Sequence, residues 1–158
     1  MQKPIKRHES LVPLSRDHHH GLLLCWKIRT GVKKGISPER MYSYANYFFT
    51  SQLVEHFRLE EEYVFPLLGS EDLLVKQALQ EHQELEHLFT KEVSVREDLD
   101  KIANLLEQHI RFEERILFTE IQNRAGEEEL MKIQKMENEI STPDPDAWHD
   151  KFWLKDMV

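Results

Sequence analysis

The chain has 158 residues, 21 Lys and Arg against 29 Asp and Glu for a net charge of −8, nine His and one Cys. That length suits one domain with a real core, the charge leaves no basic patch for nucleic acid, and a single Cys excludes an internal disulfide framework and suits a reducing compartment. No run approaches the roughly 20 apolar residues of a membrane span and the N-terminus lacks a signal-peptide core, so a cytoplasmic protein with no nucleic-acid and no membrane partner is expected.

Apolar periodicity is helical almost throughout, with Gly and Pro falling between the periodic segments and no stretch alternating as a strand does. The opening "KPIKRH" reads as a solvated basic arm, with His8 at the surface. The first predicted helix starts near Ser15, after Pro13, and fades toward "TGVKKG". Ser37-Pro38 is a cap followed by proline at the first helical position, so a second helix opens there and runs to about Leu68. "GSED" stops it and caps a third, with acids in the first turn. Ser94-Val95-Arg96-Glu97 has capping-box spacing and opens a fourth helix, closed by Asn123 to Gly126.

"EEELMKIQKMENEI" makes a short fifth helix, and the prolines of "STPDPDAWHDKFWLKDMV" stop any further one. Trp148, Phe152 and Trp153 are too apolar for a free tail; they either pack back on the helices or make a subunit contact, and the tail is therefore where a dimer would be sought. The expected fold is all-α: an up-down-up-down four-helix bundle at about 11–124, with a short extra C-terminal helix and tail at 125–158, one domain across residues 1–158.

Two stretches say nearly the same thing. "EHFRLEEEYVFPLL" and "EQHIRFEERILFTEI" match at His56 with His109, Arg58 with Arg111, Glu60 with Glu113, Glu61 with Glu114, and Phe65 with Phe118. Residues four apart on a helix lie about 40° apart around the axis and roughly 6 Å along it. The seam of the second helix then runs Phe49, Leu53, His56, Glu60, Tyr63, Leu67, and that of the fourth runs Ile102, Leu106, His109, Glu113, Ile116, Glu120. Both His–Glu pairs interrupt an apolar face, and burying a carboxylate without compensation costs several kcal/mol.

The first helix places His18 on the seam Leu14, His18, Cys25, Ile28, Val32, with His19 and His20 rotated off it. The third places His82 and Glu86 on the seam Val75, Leu79, His82, Glu86, Phe89, with His87 turned away. A lone inward His is ordinarily a hydrogen-bonded core residue, but four at one level with two repeated Glu partners point to a metal site. Imidazoles with carboxylates suit iron, manganese or zinc. The candidate metal ligands are His18, His56, Glu60, His82, Glu86, His109 and Glu113, with Glu86 either a ligand or an acceptor orienting a ligand His. Glu61 and Glu114 read as flanking acids or such orienting partners, and Cys25 as a buried small hydrophobe. No catalytic residue is assigned. The Glu-x-x-His order of ferritin-like sites is reversed here, which argues against that architecture.

Together, His18, His56-x-x-x-Glu60, His82 and His109-x-x-x-Glu113 resemble the hemerythrin-like, His-His-Glu cation-binding domain. "HFRLEEEYVFP" and "HIRFEERILF" resemble its two most characteristic segments, and "DHHHGLL" and "EHQEL" those of its first and third helices, over about residues 11 to 124. The resemblance implies two iron ions in a non-haem di-iron centre, His18, His56, His82 and His109 as terminal ligands and Glu60 and Glu113 as bridges. The chain departs from the invertebrate oxygen carriers in having Glu86 where their third helix has a second His, and Glu113 where they have Asp one residue later. These departures weigh against reversible oxygen carriage.

The function expected first is a binding protein for a small diatomic ligand or iron, sensing dioxygen, nitric oxide or cellular iron. Leu22, Leu53, Leu106 and Phe112 are the expected pocket lining, and a sensor of this length would act through a separate partner. The alternatives are a di-iron enzyme reducing peroxide or nitric oxide or repairing iron centres, and a structural bundle holding zinc.

Overall fold

A computed structural model of the protein describes residues 6–92 and 95–154, and every described regular element is helical. A 3-10 turn at Glu9–Leu11 leads into α1 (Val12–Lys33). Helix α1 opens three residues ahead of Ser15 because Pro13 sits inside its first turn, where a missing N–H costs no hydrogen bond. The turn before it is capped by His8, whose ring Nδ1 accepts from the Ser10 N–H at 3.1 Å. Of the basic arm, the described residues 6–8 are not simply solvated. Arg7 donates to Gln122 Oε1 at 3.0 Å and pairs with Glu114 at 3.2 Å, and the His8 ring lies 3.1 Å from Glu127.

Gly35, in the left-handed region at φ 71°, turns the chain into a long second rod. The rod consists of α2 (Pro38–Phe48), a π turn at Phe49–Leu53, α3 (Val54–Leu59), a second π turn at Glu60–Val64 and a 3-10 turn at Phe65–Leu67. Gly69, at φ 93°, ends it. Helix α4 (Leu73–Thr90) is capped by Asp72, which accepts from the Leu74 N–H at 2.9 Å; the acids lie before its first turn rather than in it. The fourth rod is α5 (Arg96–Phe112), a π turn at Glu113–Leu117 and α6 (Phe118–Arg124). The Ser94 cap lies outside the described residues; Asp98 accepts from the Val95 N–H at 3.4 Å. Helix α7 (Glu127–Asn138) follows.

Neighbouring rods meet late-to-early. Lys27 of α1 reaches Tyr44 of α2, Asn46 reaches the Phe89 carbonyl of α4, Lys91 reaches Asp98 of α5, and Arg29 reaches Asn104. Their buried apolar side chains form two clusters. One contains Leu24, Leu53, Phe57, Leu85, Leu106 and Ile110, and the other Leu14, Leu59, Val64, Ala78, Phe112 and Leu117. On every rod the inward His lies close to where the two clusters meet, so a polar layer crosses the apolar core.

The tail packs back on the helices. Phe152 is buried in the first cluster, and Trp148 stacks on Tyr47 with ring centres 4.8 Å apart. Gly31 permits this approach, since a Cβ there would stand 2.9 Å from the Phe152 ring and 2.5 Å from Met41 Sδ. The buried Lys27 ammonium lies 4.2 Å from the Trp153 ring centre and donates to Tyr44 Oη at 2.9 Å and Asp146 at 3.2 Å. Phe152→Ala is expected to cost about 3 kcal/mol and to lower the melting temperature by roughly 6–12 °C. A melting curve for that variant within 2–3 °C of the parent would mean the tail is not part of the core.

Candidate metal centre

Four helical rods deliver six buried polar side chains to one place: His18 from α1, His56 and Glu60 from the second rod, His82 from α4, and His109 and Glu113 from the fourth rod. Both glutamates have 0 % exposure. Each glutamate begins a π turn, Glu60–Val64 and Glu113–Leu117, so the sequence repeat is also a repeat of helix irregularity. The extra residue in each turn shifts the inward face. Val64 and Phe65 are buried where the regular period pointed to Tyr63, and Leu117 and Phe118 are buried while Ile116 is 48 % exposed.

The donor atoms fall into two groups, each with its atoms within 4.8 Å of one another: His18, His56, Glu60 and Glu113, and then His82, His109, Glu60 and Glu113. Both carboxylates belong to both groups. Glu113 Oε1 lies 3.1 Å from His18 Nε2 and 3.0 Å from His109 Nε2, and Glu60 Oε1 lies 3.3 Å from His56 Nε2 and 3.2 Å from His82 Nε2. Each carboxylate thus reaches one imidazole of either group, while His18 Nε2 and His56 Nε2 face each other at 3.2 Å.

On the far side of the rings, carboxylates hold the other nitrogen. His18 Nδ1 meets Glu114 at 2.8 Å, His56 Nδ1 meets Asp17 at 3.0 Å, and His109 Nδ1 meets Glu81 at 2.7 Å; His82 Nδ1 faces Glu61 at 3.7 Å. The pattern is cyclic, each rod supplying the acid for the His of the next and the fourth serving the first. The three acids at hydrogen-bond distance, Glu114, Asp17 and Glu81, set the tautomer, aim Nε2 inward and raise its basicity. Sequence reasoning anticipated Glu61 and Glu114 but missed Asp17 and Glu81. The signal was there, in that each acid is the sequence neighbour of an inward residue: Asp17 of His18, Glu81 of His82.

Glu86 is a correction. It is exposed and belongs to neither group. The buried stripe of α4 runs through Val75, Ala78, His82, Leu85 and Phe89, centred on the Ala78–Leu85 side, which leaves Glu86 roughly 60° off its middle. His19 and His87 are exposed. The pocket lining also differs from expectation. Leu53, Leu106 and Phe112 are buried and Leu22 partly so, but the rings against the imidazoles are Phe57, 3.8 Å from His82 and 6.0 Å from both His56 and His109, and Phe118, stacked 5.3 Å from His18. Burial pushes the Cys25 thiol up to about 12, as an inert core residue requires.

The charges do not balance without help. Burial, together with Glu113 beside it, pushes the Glu60 carboxyl up to about 8. Burial would raise Glu113 as well, but His109 and His18 hold it well below the carboxylate range, so the pair keeps one proton near neutrality. Burial opposes a charge on His109, yet Glu113 and Glu81 raise it to about 10. Even so, both oxygens of Glu60, Oε2 of Glu113, and Nε2 of His82 and His109 are buried without a hydrogen-bond partner. Unpaired buried polar atoms converging on one layer are costly by themselves, and cations bound there in place of the protons would engage them. The donor set therefore fits bound metal cations.

No helix among the described residues is long and apolar enough to cross a membrane. Comparisons with curated proteins and with solved structures find no match. A comparison with family models matches residues 11–121 to the hemerythrin HHE cation binding domain, a span that holds all four inward histidines and both shared glutamates. A cation-binding chain of this family is what that span and that donor layer describe together: the protein belongs to the hemerythrin HHE cation-binding family.

Proposed function

We propose that the chain is a single-domain, up-down-up-down four-helix bundle that holds a non-haem di-iron centre and binds or senses dioxygen, nitric oxide or iron in the cytoplasm. One observation carries the reading: two four-residue donor groups share both of their carboxylates. In this reading Glu60 and Glu113, which belong to both donor groups, would be shared between two ions, with His18 and His56 holding one and His82 and His109 the other. Iron held by these residues would supply electrons and a coordination position for a small diatomic ligand.

The chain's own residues do the rest. Asp17, Glu81 and Glu114 keep three imidazoles aimed inward through their outer nitrogens. Phe57, Phe65 and Phe118 set aromatic rings against the imidazoles, and the burial of the layer strengthens each charge interaction inside. With four imidazoles beside its two shared carboxylates, the site has one imidazole fewer than the invertebrate oxygen carriers, which favours ferric iron over reversible carriage.

The test is metal stoichiometry and the visible spectrum of protein loaded anaerobically with ferrous iron and then exposed to air. About two irons per chain, with near-ultraviolet bands of an oxo-bridged ferric pair after oxidation, is the expected result. A single tightly held zinc with no such bands would replace this reading with a structural zinc site.

A further inference from the structure

The two metal positions are supported unequally from outside. His18, His56 and His109 each have Nδ1 within 3.0 Å of a carboxylate oxygen, whereas His82 Nδ1 stands 3.7 Å from Glu61 and has no hydrogen-bond partner. The acids are also braced differently. Glu114 pairs with Arg7, which reaches on to Gln122 and lies 5.5 Å from the centre of the Phe118 ring. Glu81 accepts from Gln77 at 3.2 Å. Glu61 and Asp17 are both about half exposed and make no second contact of this kind among the described residues, so what separates these two is the distance to their rings, 3.7 Å against 3.0 Å.

Stacking holds the His82 ring instead, against Phe57 at 3.8 Å and 13° and more loosely against Phe65 at 5.5 Å. Stacking fixes the plane of an imidazole but lends it no basicity and does not choose its tautomer; a bonded carboxylate does both. A groove of about 360 Å³ between the second rod and α4 reaches this ring, lined by Val54, Phe57, Glu61 and Glu86. On the opposite flank a smaller cavity, about 150 Å³, reaches His56, but Asp17 is already bonded to that ring.

We infer that the two positions bind metal unequally: the His18/His56 position holds its ion tightly, and the His82/His109 position exchanges its ion through the groove between the second rod and α4. Glu114 and Asp17 act as positioning residues through both His18 and His56, whereas at the other position only Glu81, through His109, stands at hydrogen-bond distance and Glu61 lies 3.7 Å from His82 Nδ1. The inference rests on the di-iron reading above and adds to it an order of loading and loss.

The experiment loads the full chain with two ferrous ions anaerobically and follows their release to a ferrous chelator. Two phases are expected, separated at least tenfold in rate. His82→Ala should leave one slowly released iron, and His18→Ala one rapidly released iron. Glu114→Gln should weaken the slow phase by roughly 10–100-fold, with Arg7→Ala moving it the same way, while Glu61→Gln changes either phase by less than about threefold. Release of both ions in one phase overturns the inference, as does a Glu61→Gln loss equal to that of Glu114→Gln. Those outcomes leave the di-iron reading standing, whereas a wild-type chain that never holds two irons defeats that reading itself.

Discussion

Glu113→Ala and Glu60→Ala are each expected to bring bound iron well below two per chain, and lower than any single His variant does. The reason is their place in both donor groups: each histidine belongs to one position, but removing either carboxylate strips a ligand from both. The loss also leaves the neighbouring imidazoles, 3.0–3.3 Å away, without the negative charge that offsets a buried cation. His19→Ala, His87→Ala and Glu86→Ala alter exposed side chains outside both groups and are expected to keep two irons. Iron per chain, measured by a colorimetric assay on equally purified variants, decides it. Equal iron in the glutamate variants and the surface variants would sink the assignment of the shared carboxylates.

The second large effect is a reversal of pH dependence between the metal-free and loaded protein. In the metal-free chain, Glu60 is pushed up to about 8 and His109 to about 10. The folded state therefore holds protons that the unfolded chain releases near pH 4.5 and 6.5. The contribution of Glu60 falls away as pH rises from about 4.5 through 8, and that of His109 is full below about 6.5 and lost as pH rises through 10. Glu137, pushed up to about 8 by burial and by Asp17, acts with the same sign. Glu113 works in the opposite sense, since its depressed value gives stability that is lost only as pH falls below the ordinary carboxylate range.

Between roughly pH 6 and 9 the metal-free protein should melt at progressively lower temperature as pH rises. Metal displaces these same protons, so iron affinity should rise with pH over that window and iron should be shed on acidification. Loading at neutral pH should release protons into a weakly buffered solution. A metal-free melting temperature that is flat or climbs from pH 6 to 9, with no proton release on loading, would show that the buried layer is not held together by protons in the way its geometry implies.

Much of this protein is written in local patterns. The His-x-x-x-Glu pairs put two donors on one helical face whatever the helix packs against, and apolar neighbours at the same spacing make that face the buried one. His18, His56, His82 and His109, together with Glu60 and Glu113, are accordingly legible from periodicity alone, as are the four rods and the breaks between them at Gly35 and Gly69. What periodicity cannot carry is any departure from itself. The π turns at Glu60–Val64 and Glu113–Leu117 advance the inward face by a residue, so Leu117 and not Ile116 is buried, and the buried stripe of α4 centres on the Ala78–Leu85 side, which leaves Glu86 outside a stripe that a regular helical period lets it join.

Partnerships across rods lie still further from the sequence. Asp17 sits beside His18 in the chain but bonds His56, Glu81 sits beside His82 but bonds His109, and Arg7 crosses more than a hundred residues to brace Glu114. By itself, then, the sequence determined which side chains turn inward, because that depends on the 3.6-residue turn of each separate helix. Only the tertiary structure decided which of them meet, because that depends on the rotation and stagger of one helix against another, set by the packing of the whole core.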